Sequence, residues 1–259
     1  MASRTCAHSP ELSSLIVSHL VPEPLAIYAT VSEEWRRAVE GHTFDTLRLN
    51  PSRLADSARI VTSSRRQLVR RLEFDVVLDA YGKEARSKYE TPEEQAKNNK
   101  VFTDAVKAIF SYLSDWPEDE VSKNGIELNL LAYSPSDLFR APEEERMERV
   151  MMRRAQPGDL LSERFERSYL QFVSTGASMS EILPVLPIIT RLHVGSDFLS
   201  GPSGPRLIWA GSASAIALKL PRLQDLKLSL WDDEKRNLSL RKTAREGSHI
   251  TFSRGEDLC

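Results

Sequence analysis

Two nine-residue stretches, Leu186-Pro187-Ile188-Ile189-Thr190-Arg191-Leu192-His193-Val194 and Leu220-Pro221-Arg222-Leu223-Gln224-Asp225-Leu226-Lys227-Leu228, share one apolar frame. Each ends in an apolar-polar-apolar alternation, the pattern of a short strand with one buried face. The alternation recurs upstream at Leu47-Arg48-Leu49, Leu72-Glu73-Phe74 and Leu128-Asn129-Leu130. Phe44 and Val69 stand where the later stretches carry Leu223 and Ile189, whereas Gly125 breaks the frame before the third strand. Helical signals lie between the strands. Asn50-Pro51 is a cap and first residue for a helix carrying Leu54, Ala58 and Val61. Val101, Phe102, Ala105, Val106, Ile109, Phe110 and Leu113 form a wide apolar helix face that Trp116-Pro117 stops.

Strand-plus-helix units built on this leucine frame resemble leucine-rich repeats, whose parallel strands stack into a solenoid. The expected fold class is therefore α/β, with an N-terminal three-helix unit over 8–45 and an irregular leucine-rich-repeat-like strand/helix solenoid over 46–235. Polar insertions near 79–100 and 134–159 account for the irregular spacing, and a polar tail fills 236–259. The charged run Glu143–Arg149 reads as a solvated helix or loop. Gly201-Pro202-Ser203-Gly204-Pro205 lacks the spacing and the lysine of a phosphate cradle. In a repeat fold the outward strand positions offer one contact per unit, here Arg48, Glu73, Asn129, His193 and Lys227. All are polar, and they are the candidate substrate-binding residues.

The N-terminal unit follows a different period. Leu12, Leu15, Ile16 and Leu20 form one helical stripe, and Pro24 suits the first position of a second helix carrying Leu25, Ile27, Tyr28 and Val31. Ser32 reads as the N-cap of a third helix with Glu33 and Glu34 in its first turn, Trp35 and Val39 on one face, and Gly41 as its end. Helices this short do not bury enough surface to stand alone, so they are expected to lean on the following domain, on another chain, or on both.

Composition excludes several classes. Against 35 Lys and Arg stand 37 Asp and Glu, a net charge of −2 that gives no bulk grip on nucleic acid or anionic lipid. The two cysteines, Cys6 and Cys259, make no disulfide framework and fit a reducing compartment. No apolar run reaches the length a signal peptide or a membrane span requires, so a cytoplasmic or nuclear location without membrane contact is expected.

Catalytic constellations are not found. The five histidines, at 8, 19, 42, 193 and 249, share no ligand spacing, and no serine sits in a nucleophile elbow. Asp232-Asp233-Glu234 reads as a solvated turn after a strand, so neither a metal nor a cofactor is expected and the chain is read as a non-enzyme. Arg65-Arg66-Gln67-Leu68-Val69-Arg70-Arg71 is the densest basic stretch. It is read as an Arg-rich helix end running into a strand in preference to a nucleic-acid contact, because aromatic stacking residues are missing beside it.

His8-Ser9-Pro10-Glu11-Leu12, Leu15-Ile16, Leu20, Leu25, Val31-Ser32 and Trp35 together resemble an F-box motif. The continuation through Phe44 to Leu49 resembles F-box proteins of filamentous fungi with a degenerate leucine-rich-repeat-like domain. The resemblance implies a substrate-recruiting adaptor subunit of a cullin–RING (SCF-type) ubiquitin ligase. Its helices would bind a Skp-type adaptor, and through it a cullin, while the repeats hold a protein substrate. It nominates Pro10, Leu12, Leu15, Ile16, Leu20, Leu25, Val31 and Trp35 for adaptor contact or for the small core behind it, and places catalysis in other subunits. The alternative is a protein-interaction scaffold with a decayed F-box, since His8 and Ser9 stand where the motif has Leu-Pro. A nucleic-acid role through Arg65–Arg71 ranks third and a hydrolase last.

Overall fold

Alternation of apolar and polar residues at the five frames produces five strands, and chain order produces their arrangement. The computed structural model describes residues 10–20, 25–82, 84–85, 88–137, 168–173, 183–195 and 206–228. The strands are β1 (Thr46–Leu49), β2 (Arg71–Val77), β3 (Ile126–Tyr133), β4 (Ile189–Val194) and β5 (Asp225–Leu228). They form one parallel sheet in the order β1-β2-β3-β4-β5, so each strand pairs with its predecessor and successor in the chain. Parallel neighbours need crossovers. Helices α3 (Leu54–Ile60) and α4 (Ser63–Arg66) join β1 to β2, α5 (Pro92–Ser114) joins β2 to β3, and α6 (Ala210–Ala217) precedes β5.

One face of the sheet is the core. Leu47, Leu72, Phe74, Val76, Ile126, Leu128, Leu130, Leu192 and Val194 pack there against Phe102, Val106, Ile109, Phe110 and Leu113 of α5 and Ile216 of α6. The alternate residues point the other way and remain half-buried or exposed. Helix α5 begins earlier than its apolar stripe, inside the stretch read as a polar insertion. Thr91 accepts from the Glu94 backbone N–H at 3.2 Å while the Thr91 N–H donates to the Glu94 carboxylate at 2.9 Å, a capping box with Pro92 in the first turn. Its polar residues are then put to use. Asn99 and Thr103 accept from the backbone N–H groups of Gln171 and Val173 at 2.8 and 2.9 Å, and Ser212 accepts from Phe172 at 2.8 Å. Side chains thus satisfy a segment whose one ladder contact among the described residues is the bridge from Leu170 to Ile208.

The N-terminal unit comprises α1 (Pro10–His19), a short 3₁₀-helix (Leu25–Thr30) and α2 (Glu33–Asp45). Two expectations change here. The segment carrying Leu25, Ile27 and Tyr28 winds as a 3₁₀-helix, and Val31 lies just past its end. Gly41 does not end α2, which runs on to Asp45 and leads directly into β1. Phe44 on the added turn packs against the core, and that burial outweighs the roughly 1 kcal/mol a helical glycine costs. The Ser32 cap is present, accepting from the Trp35 N–H at 3.2 Å. Most of the 134–159 insertion, together with Gly201–Pro205, Asp232–Glu234 and the 236–259 tail, lies outside the described residues.

Candidate functional site

The first candidate surface is the N-terminal helical unit. Val17 is fully buried, and buried Ser13 donates to Glu34 Oε1 at 3.0 Å, tying α1 to α2. Tyr28 stacks on Trp35 at 6.0 Å between ring centroids. Arg65 anchors the unit to the sheet domain. It donates to Glu40 at 2.8 Å and lies over the Phe44 ring at 4.8 Å. The residues nominated by the F-box resemblance divide accordingly. Ile16, Leu20, Leu25 and Trp35 are half-buried, whereas Leu12 (51% exposed), Leu15 (57%) and Val31 (65%) face outward. Pro10 opens α1, and nothing further is described of its side chain. Ile27, 68% exposed, joins the outward set and was not nominated. Its signal was its place in the apolar run between Leu25 and Val31. Val17 and Val39, the buried apolar residues of the unit, were likewise absent from the nominations.

The basic stretch after α3 is engaged within the chain. Besides the Arg65 contacts, Arg66 donates to Glu120 Oε2 at 2.6 Å and lies 5.4 Å from the Trp116 ring. Arg70 reaches Ser122, and Arg71 pairs with Glu127 at 3.2 Å. This is the Arg-rich helix end running into a strand that the sequence suggested.

The second candidate surface is the open face of the sheet. Arg48, Glu73, Asn129, His193 and Lys227 stand in register, each the direct partner of the next across β1 to β5. The five predicted substrate positions therefore form one row. A parallel row, missed from sequence, runs Thr46, Arg71, Glu127, Arg191, Asp225, its last four members alternating in sign. Arg48 pairs with Glu73 at 2.7 Å, and Glu127 lies 3.2 Å from Arg71 and 3.7 Å from Arg191. Tyr133 donates to Asp75 at 3.3 Å. Opposite charges on adjacent strands favour this register over a slipped one.

Between the rows lies a shallow concavity of about 480 Å³ whose lining includes Glu73, Asp75, Glu127, Asn129, Arg191, His193 and Gly195. Gly195, at φ +99°, follows the end of β4 and contributes no side chain to the lining. The Asn129 Oδ1 is shielded from water and has no hydrogen-bond partner. A buried acceptor left so costs on the order of 1–3 kcal/mol. The arrangement offers recognition chemistry, with donors, acceptors and fixed charges on a rigid sheet. Among the described residues no group of three or more His, Cys, Asp or Glu side chains could hold a metal ion, and no helix is long and apolar enough to cross a membrane.

No family model, no curated protein and no solved structure matches the chain.

Proposed function

We propose that the chain is the substrate-recruiting subunit of an SCF-type ubiquitin ligase, its N-terminal helices docking on a Skp-type adaptor and its repeat-like sheet domain holding a protein substrate. The observation that carries this reading is the exposure of Leu12, Leu15, Ile27 and Val31 on one small helical unit. Leu12 and Leu15 stand three apart on α1, hence on one helix face, and exposed large apolar side chains on one face suit an interaction surface. The F-box resemblance, which takes in Leu12, Leu15 and Val31, names the partner.

The sheet domain supports the second half of the reading. Parallel sheets are ordinarily covered on both faces, and among the described residues this one is covered on one, with strands stacked in chain order as in a solenoid. The open face carries polar groups suited to gripping another chain. Catalysis needs no residue here, because recruitment raises the local concentration of a substrate lysine near ubiquitin charged on another subunit.

The test is a pull-down of the purified chain with a Skp-type adaptor, comparing wild type with Leu12→Asp and Ile27→Asp. Both positions are exposed, so circular dichroism should show both variants folded. Each is expected to weaken binding at least about tenfold, the loss of one anchoring side chain at an interface. Absence of binding by the wild type would remove the ligase reading and leave the interaction scaffold.

A further inference from the structure

The two edges of the sheet are built differently. On β1 the Asp45 carbonyl accepts from the Arg70 N–H at 2.9 Å, so Asp45 faces β2 and the backbone groups of Thr46 and Arg48 point outward. That edge is blocked from within, because Arg53 Nη1 donates to the Arg48 carbonyl at 3.1 Å. At the opposite edge the Gln224 N–H donates to the Thr190 carbonyl at 2.8 Å. Residues 224, 226 and 228 therefore turn their backbone groups toward β4, while Asp225 and Lys227 turn theirs outward. Among the described residues no strand lies beyond β5.

The side-chain order along this edge is self-complementary. An antiparallel strand laid on it would place the outward-turned residues in hydrogen-bonded pairs, with a non-hydrogen-bonded pair between them. With a second copy as that strand and a twofold axis at Leu226, Asp225 stands opposite Lys227 of the second copy, and Lys227 opposite its Asp225. Each of these pairs exchanges two backbone hydrogen bonds. Leu226 meets its own equivalent in the close pair on the axis, on the side of the sheet where its neighbour Leu192 lies in the core. Two opposite-charge pairs on one face and an apolar pair on the other are the contacts that stabilise antiparallel neighbours.

Exposure and register agree with this. Leu226 is 42% exposed in the single chain, and Asp225 and Lys227 are exposed beside it. A lysine on an edge strand ordinarily keeps other chains away. Here an aspartate two residues earlier supplies its counter-charge under twofold symmetry. A slip of two residues in either direction would set Asp225 on Asp225 or Lys227 on Lys227, so the charges select one register.

We infer that β5 is a dimerisation edge, which two copies of the chain pair antiparallel about Leu226 to join their sheets into one. Such an interface is isologous and closes, whereas a contact from β5 to β1 would repeat without end. Four residues a side fall short of the roughly 1,200 Å² of a lasting complex, so the expected dissociation constant is on the order of 100 µM.

Sedimentation equilibrium of the full chain, from about 10 µM to about 1 mM to bracket that constant, should follow a monomer–dimer isotherm. Asp225→Lys leaves two lysines on the edge and Lys227→Asp leaves two aspartates. Each variant should weaken self-association at least about tenfold. An equimolar mixture of the two should associate as the wild type does, because every facing pair is again opposite in charge. The chain carrying both changes should do the same. Circular dichroism checks the fold of each variant. In the wild type, hydrogen exchange at the Asp225 and Lys227 amides should slow as concentration rises, while the Leu226 amide, already turned toward β4, changes little.

A chain that stays monomeric over this range overturns the inference. So does a dimer that neither charge change weakens, or a mixture that associates no better than its components. Should a variant not fold, hydrogen exchange in the wild type decides, and amides of Asp225 and Lys227 that ignore concentration overturn the inference. Adaptor binding enters none of these outcomes, so the dimer and the ligase reading fail separately.

Discussion

At the scale of single residues, the pair Arg206–Glu90 carries the largest electrostatic stake. Both side chains have no solvent exposure, and the guanidinium donates to Oε1 at 3.2 Å and to Oε2 at 3.0 Å, with Ser168 Oγ at 3.4 Å. Burial pushes the Arg206 pKa down, while the Glu90 carboxylate, Asp137 and Tyr81 hold it up. Such a pair is weak evidence for stability as a whole, because desolvation offsets the attraction, yet removing one partner strands a buried charge. Arg206→Met should therefore destabilise by about 3–5 kcal/mol, measured by urea unfolding. Adding Glu90→Leu to that variant should recover part of the loss. If the double variant is as unstable as the sum of the singles, the pair is not the source. None of this was legible in the sequence. Glu90 sits in a stretch that reads as a polar insertion and Arg206 follows a Gly-Pro loop; nothing local announces that the fold brings them together.

Elements repeat the lesson with a different cause. The alternation that defines β1 to β5 is a local property of each frame, so every predicted frame lies inside a strand. Where Gly125 interrupts the pattern, the reason is distant. Pairing of β3 with β4 shifts register between Ile126 and Glu127, and the extra residue, Thr190, is turned into the core at 2% exposure. Gly125 adopts φ +71°, and a Cβ there would lie 2.3 Å from Thr190 Cγ2 and 3.0 Å from the Ile188 carbonyl. Thr190 Oγ1 meanwhile donates to the Asn124 carbonyl at 2.8 Å, so bulge and turn hold one another. Gly125→Ala combines a left-handed backbone with a clash and should cost about 2–4 kcal/mol. Thr190→Ala should be cheaper in that background than in the wild type, since it relieves the clash. A double-mutant cycle by chemical unfolding gives the coupling, and simple additivity would refute the contact. The same reasoning explains Gly41: a glycine ends a helix only when nothing beyond it has a buried face to present, and Phe44 does.

For the whole molecule, one row of leucines shows how position in the stack overrides sequence. Leu47, Leu72, Leu128, Leu192 and Leu226 are in register across the five strands and occupy the same place in the frame. Their exposures are 9%, 0%, 0%, 1% and 42%. The frame around Leu226 matches that around Leu192, so the sequence assigns them equal burial, but a residue in a stack is buried by its neighbours on both sides. Leu226 stands on the last strand, whose one strand neighbour among the described residues is β4. In a sheet whose strands pair only with their chain neighbours, each strand is held chiefly by the next, so stability should decline toward such an end. Leu72→Ala, Leu128→Ala and Leu192→Ala should each cost about 2–5 kcal/mol, with a remaining cavity setting the spread, and Leu226→Ala less than about 1 kcal/mol. Equilibrium unfolding of the four variants measures the gradient. An equal loss at Leu226 would mean that this end of the sheet is covered in solution by something beyond the described residues, and the row would then be as uniform in the molecule as it is in the sequence.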